Sequence, residues 1–231
     1  MSAEFHSAVI FDVDGPLLDL GPTEEDAFFL PFRDLHGLDD LSRDWDTYRV
    51  RNDVEISREI LETHLGRPAS DAEMADLAAR YFEILSGMLD TGKARVSPIP
   101  GARDLLERLH QSGGIALGTA TANLREAARI RLERVGMWPY VRMFPGAAEC
   151  GGPKRDVLAS VIADLGLPKE RIVFLGDNLN DLDAGLTCGV HFIGFHVEDH
   201  RRQRLADAGA THVAGDHQTS FDLIRDFLRL G

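Results

Sequence analysis

The sequence predicts an α/β fold: a doubly wound, parallel-sheet, Rossmann-like core carrying an inserted all-helical domain. Three observations lead there. Short apolar runs, too short for helices, alternate with stretches of helical periodicity, the pattern of βαβ units. One of those runs ends directly in aspartate and a second reaches one after a single glycine, at the strand ends where open parallel sheets bind ligands. The alternation is broken once, over residues 20–96, where helical periodicity continues with no strand-like run.

Taken in order, Ala8-Val9-Ile10-Phe11 reads as a buried parallel strand, because both its faces are apolar. Helices are expected over residues 24–35, 53–65 and 72–89, with Pro22 at one end of the break and Pro98-Ile99-Pro100-Gly101 at the other. The alternation then resumes. Leu105, Leu106 and Leu109 share a helix face, and residues 115–118 form the next strand. Ala127, Ile130, Leu132 and Val135 mark a second helix, and Val157, Leu158, Val161, Ile162 and Leu165 a third. Residues 172–175 and 190–195 are strands, residues 211–214 a weaker one, and the Phe221–Leu228 stretch a closing helix. The domains are therefore residues 1–19 with 97–231, the core, and residues 20–96, a helical insertion.

Composition narrows the function. A chain of 231 residues removes roughly 70% of its unfolded surface from water. With 44% hydrophobic and 27% charged residues it is neither disordered nor fibrous. No run approaches the ~18 apolar residues of a membrane helix. Met1 to His6 show no basic stretch and no apolar leader, so a cytoplasmic protein without membrane partners is expected. Cys150 and Cys188 lack metal-ligand spacing and read as reduced thiols. A net charge of −13 argues against nucleic acid, which is held by clustered Lys and Arg, but not against a small anion held by a cation and a few amides. The insertion is the more acidic part, with 9 basic and 17 acidic residues. An apolar helix face looks the same against a core or a second subunit, so no oligomeric state is predicted.

The chemistry gathers at strand ends. Asp12 and Asp14 follow the first strand in Asp12-Val13-Asp14-Gly15, and residues two apart on extended chain point the same way. Asp177 ends the strand at 172–175, and Asp181 lies one helical turn further on. Crowded carboxylates are costly without a cation, and a small set of oxygen ligands favours Mg²⁺. Asp183 reads as a solvated helix position. After the strand at 115–118 come Thr119, Ala120, Thr121 and Asn123. A hydroxyl and free backbone amides there can hold a phosphoryl oxygen. Thr119 and the Ala120 amide are the candidates, and Asn123 is read as the cap of the following helix. Lys154 opens a helix, where a cation opposes the macrodipole, so facing the carboxylates and a phosphate is the better reason for it. Arg155 is its rival.

In this order these residues resemble the haloacid dehalogenase superfamily of phosphohydrolases. The resemblance rests on Phe11-Asp12-Val13-Asp14-Gly15-Pro16-Leu17-Leu18-Asp19, Thr119, Lys154 and Gly176-Asp177-Asn178-Leu179-Asn180-Asp181. The insertion after the first motif looks like the cap of the subgroup that includes phosphoglycolate phosphatase and β-phosphoglucomutase. The resemblance implies hydrolysis of a small-molecule phosphate ester, with Asp12 as nucleophile and Asp14 as general acid and base. It implies Mg²⁺ held by Asp12, the Asp14 carbonyl, Asp177 and, directly or indirectly, Asp181. Thr119 and Lys154 would hold phosphoryl oxygens.

Asp14 favours phosphate chemistry over dehalogenation, whose enzymes in this superfamily lack the second acid. The mutase-like His expected just after the first motif is missing, where Gly21-Pro22-Thr23-Glu24 stands, and this favours a phosphatase over a phosphomutase. A catalytically silent binding member is the remaining alternative, supported by Pro16, which stands where phosphatases of this group usually have Thr. A phosphoacceptor signalling domain uses similar residues but carries no such insertion. In the insertion Arg49, Arg51 and Asn52 form a basic and polar island. Either they reach the substrate, as Arg does for carboxylate or phosphate, or the arginines pair with Asp44, Asp46 or Asp53.

Overall fold

The structure is a computed structural model that describes residues 5–143 and 150–230. Met1 to Glu4, on which part of the leader reading rests, lie outside the described residues. The core is a six-stranded parallel sheet in the order β5-β4-β1-β6-β7-β8. Its strands are β1 (Ser7–Phe11), β4 (Ile115–Thr119), β5 (Arg142–Met143), β6 (Ile172–Gly176), β7 (His191–Phe195) and β8 (Val213–Ala214). Leaving out the two strands outside this sheet, that order is 3-2-1-4-5-6, the doubly wound arrangement. Every residue of β1, β4 and β6 is buried, which is why these segments read as unbroken apolar runs.

The connections place helices on both faces. The helices are α4 (Ala102–Gln111), α5 (Arg125–Arg134), α6 (Lys154–Leu165), α7 (Leu179–Cys188), α8 (Asp199–Asp207) and α9 (His217–Leu228). α6 packs on α7, and α4 packs on α9. Crossovers run in opposite directions from β1, and the right-handed connection that parallel strands adopt puts these pairs on opposite faces. The apolar core between them is built on Phe11, Phe174, Phe195, Leu105, Leu106 and Leu109.

Between β1 and α4 the chain leaves the sheet. β2 (Leu18–Leu20) and β3 (Val96–Pro98) pair antiparallel, with Leu20 opposite Val96. Between them lie α1 (Asp26–His36), α2 (Asp53–Leu65) and α3 (Asp71–Asp90). These helices enclose a second apolar cluster with Phe28, Phe32, Leu61, Leu77 and Leu85. Ser70 caps α3 in a reciprocal pair with Glu73. α5 belongs to both halves: Ala127 packs into the second cluster and Leu132 into the first.

The sequence misses β2, β3 and β5, of three, three and two residues, which are too short for a periodicity. It also misses α8, a polar helix that buries only Leu205. The weak strand expected over 211–214 shortens to Val213–Ala214.

Candidate active site

The carboxylates lie where the strand order reverses. β1 is flanked by β4 and β6, and the residues that follow these three strands share one edge of the sheet. Asp12 continues β1, its N–H donating to the Leu175 carbonyl at 2.8 Å. Asp177 follows β6 directly. Asp181 sits in the first turn of α7, where Asn178 and Asp181 cap the helix reciprocally. Asp181 Oδ2 accepts from the Asp177 and Asn178 amides at 3.1 and 3.3 Å. Asp12, Asp177 and Asp181 each offer an oxygen within 4.8 Å of the others.

Two glycines make this crowding sterically feasible. Gly15 has φ +93°, and a Cβ there would stand 2.4 Å from Asp177 Cγ. At Gly176 a Cβ would stand 2.3 Å from Asp181 Cβ. Backbone approaches the carboxylates closely at both positions, and only glycine leaves the room.

Lys154 is the cation of the cluster. Its ammonium lies 2.8 Å from Asp12 Oδ1 and 3.0 Å from Asp181 Oδ1, with 8% of the residue exposed. Arg155, its rival, lies at the surface beside Asp183 at 3.8 Å, and both side chains are more than half exposed. Burial works against the Lys154 charge, but Asp12 and Asp181 outweigh it and hold the ammonium above its ordinary range. Burial pushes the Asp12 carboxyl well up. Lys154 opposes that, while Asp181, Asp177 and Asp14 reinforce it. Burial and then Asp181 push Asp177 up to about 7. The cluster holds more negative charge than one lysine balances, which is the condition for taking up a divalent cation.

Asp14 stands two residues beyond Asp12. Its Oδ2 accepts from Asn123 Nδ2 at 2.7 Å, and its Oδ1 is buried and accepts no hydrogen bond among the described residues. Thr119 ends β4 in register with Phe11, the residue before Asp12, and is fully buried. Ala120 departs from expectation: its N–H donates to the Phe11 carbonyl at 2.9 Å, so the amide is spent on the sheet rather than free for a phosphoryl oxygen. Asn123 departs too. It does not cap α5. The Leu124 N–H there donates to Asp53 Oδ2 at 2.8 Å, a carboxylate from the inserted helices.

Pro16 fits its loop. The turn closes through Gly15, Leu17 and Leu18 amides, so residue 16 needs no N–H. Its carbonyl pairs with His217 Nε2 at 2.9 Å. His217 is buried against the Phe195 ring at 4.3 Å, and burial lowers its pKa to about 4.

Above these groups opens a cleft of about 980 Å³ between the sheet edge and the inserted helices. Arg49 and Arg51 line it but are paired within the insertion. Arg49 lies 3.3 Å from Glu59 and Arg51 3.0 Å from Asp46, and both are exposed. Of the alternatives in the sequence, pairing within the insertion is what the structure contains, with Glu59 an unforeseen partner. Asn52 uses its side-chain oxygen to accept from the Val54 N–H at 2.9 Å, capping α2, and is 1% exposed.

One group is absent from the sequence reading. Arg131 of α5 is 3% exposed, and its Nη1 lies 4.0 Å from Asp14 Oδ2. Its Nε donates to Glu24 at 2.8 Å and its Nη2 to Tyr81 Oη at 2.8 Å. The signal was available: Arg131 lies four residues after Ala127 and three after Ala128, on the helix face that is buried.

Comparison with known proteins gives the family and the fold. The family model for haloacid dehalogenase-like hydrolases matches residues 6–189. The chain is 27% identical over 213 residues to the N-acetylmuramic acid 6-phosphate phosphatase of Pseudomonas aeruginosa, covering 89% of this chain and 90% of the relative. It is 26% identical over 187 residues to a phosphoglycolate phosphatase of Aliivibrio fischeri, covering 79% and 81%. In fold it is similar to CbbY from Rhodobacter sphaeroides, solved with phosphate, at a TM-score of 0.67 and 22% identity, covering 92% and 95%.

Proposed function

The chain belongs to the haloacid dehalogenase-like hydrolase family, and on that premise we propose that it is a phosphatase acting on a small phosphate monoester through an aspartyl-phosphate on Asp12. One observation carries the reading. Asp12, Asp14, Lys154, Asp177 and Asp181 lie together at the strand ends beside β1, facing a cleft between the sheet and the inserted helices. Asp12 attacks phosphorus. Asp14 protonates the departing alcohol and then takes a proton from the water that hydrolyses the acyl phosphate. Lys154 and Thr119 hold the charged oxygens of the phosphoryl group as it transfers.

Asp12, the Asp14 carbonyl and Asp177 would hold Mg²⁺, with Asp181 beside them. The donors fit it: they are all oxygen, crowded and under-neutralised. When bound, the ion offsets the charge of nucleophile and phosphoryl group.

Residues 20–96 act as the cap that excludes water and reads the leaving group. Phosphoglycolate and N-acetylmuramic acid 6-phosphate, which the relatives' names give as their substrates, both carry a carboxylate besides the phosphate. Arg49 and Arg51 line the cleft and can exchange their carboxylate partners for such a group. Phosphate release should be measured across a panel containing both esters and several sugar phosphates, with Mg²⁺ or EDTA, for wild type and Asp12→Asn. Release that needs the metal and Asp12 supports the reading. Release that survives Asp12→Asn rejects it. An unchanged KM for the best ester in Arg49→Ala and Arg51→Ala rejects the cap assignment.

A further inference from the structure

We propose that Asn123 and Arg131 are positioning residues that hold Asp14 for proton transfer and tie it to the inserted helices, an inference that rests on the acid–base reading of Asp14 above. Asn123 Nδ2 donates to Asp14 Oδ2 at 2.7 Å and to Thr121 Oγ1 at 2.9 Å. Its Oδ1 accepts from Arg131 Nη1 at 2.6 Å. A guanidinium only donates and a carboxylate only accepts, so the two partners fix which way the amide faces. The amide is thus a polar adaptor between an arginine and an aspartate 4.0 Å apart. It holds one Asp14 oxygen and leaves Oδ1 uncommitted among the described residues.

The anchor behind the adaptor is buried and comes from both halves of the molecule. Arg131 belongs to α5 of the core. Glu24 precedes α1, and Tyr81 lies in α3. Glu24 is 3% exposed and receives two N–H groups of Arg131 on one oxygen. Arg131, which holds the Asn123 amide, is thus itself held by Glu24 and Tyr81.

The test separates positioning from general damage through the leaving group. An alkyl phosphate needs protonation of its departing oxygen, whereas p-nitrophenolate leaves unaided. For Asn123→Ala, kcat/KM for the best alkyl ester should fall about 10–100-fold, part of the ~10²–10⁴ that a general acid supplies. For p-nitrophenyl phosphate it should stay within about threefold. Arg131→Met strands the Glu24 carboxylate, so it is paired with Glu24→Gln in one chain, whose fold is checked by its thermal melt. That double variant should show the same selective loss. Equal losses on both esters, or no loss, overturn the proposal while leaving the phosphatase reading intact. Wild-type enzyme that turns over neither ester removes both.

Discussion

Replacing Lys154 with Met removes the ammonium that bridges two buried carboxylates. At an effective dielectric of about 20, contacts of 2.8 and 3.0 Å each carry roughly 5–6 kcal/mol of attraction. Desolvation of the three charges offsets most of that. Breaking a buried ion pair from one side typically costs ~3–5 kcal/mol. For a chain of this length each kcal/mol moves the melting midpoint by about 2–4 °C, so Lys154→Met should melt roughly 6–20 °C lower at pH 8 without metal. The pH dependence has a definite sign. Burial already holds the folded pKa of Asp12 well above its ordinary value with Lys154 in place, and losing the ammonium raises it further. A carboxyl raised in the folded state is at its most stabilising below its unfolded pKa and loses that stability as pH rises through the folded value. The deficit must therefore shrink toward pH 5, where a proton replaces the ammonium. Thermal unfolding of both proteins in EDTA at pH 5 and 8 measures it. A midpoint within about 2 °C of wild type at pH 8, or a larger deficit at pH 5, refutes the reasoning.

Three further outcomes are expected. Gly15→Ala combines a φ of +93° with a Cβ placed 2.4 Å from Asp177 Cγ. It should displace Asp177 and cost at least ~1–3 kcal/mol, with turnover and Mg²⁺ binding lost together, and normal Mg²⁺ binding would contradict it. With Asp177 at about 7, a metal must displace a proton at lower pH. Apparent Mg²⁺ affinity by calorimetry should then rise with pH between 5 and 7, and a flat profile counts against Asp177 as ligand. Asp53→Ala removes the acceptor of the Leu124 N–H and should cost ~0.5–2 kcal/mol. Asp53→Asn, which keeps an acceptor, should recover most of it in the same melts.

The sheet and its carboxylates were legible because the chain writes them locally. A buried parallel strand is an apolar run, and Asp12 and Asp177 stand at the ends of such runs. Lys154 was legible through a contradiction, a cation at a helix start. The cap residues were not legible in that way. Arg49 and Arg51 carry the right charge for a ligand, but whether a surface arginine meets substrate or Glu59 and Asp46 depends on folded distances. Asn123 was misread because a local rule, helix capping, competed with a partner 109 residues away. Arg131 was passed over because charge in a helix normally means solvent. Its burial depends on Glu24 and Tyr81, which the sequence places 107 and 50 residues off.

The pairing of Leu20 with Val96 has a consequence for how such a chain can diversify. The insertion departs from and returns to nearly the same point, so its ends are closed by two adjacent strands whatever lies between them. Loop-closure entropy grows only logarithmically with length, and a longer, shorter or wholly different insert would leave β1, β4 and β6 in register. Mutation can then rework the inserted helices without renegotiating the sheet. The constraint falls elsewhere, on the few docking contacts such as Glu24 with Arg131 and Asp53 with Leu124, which any replacement would have to supply anew.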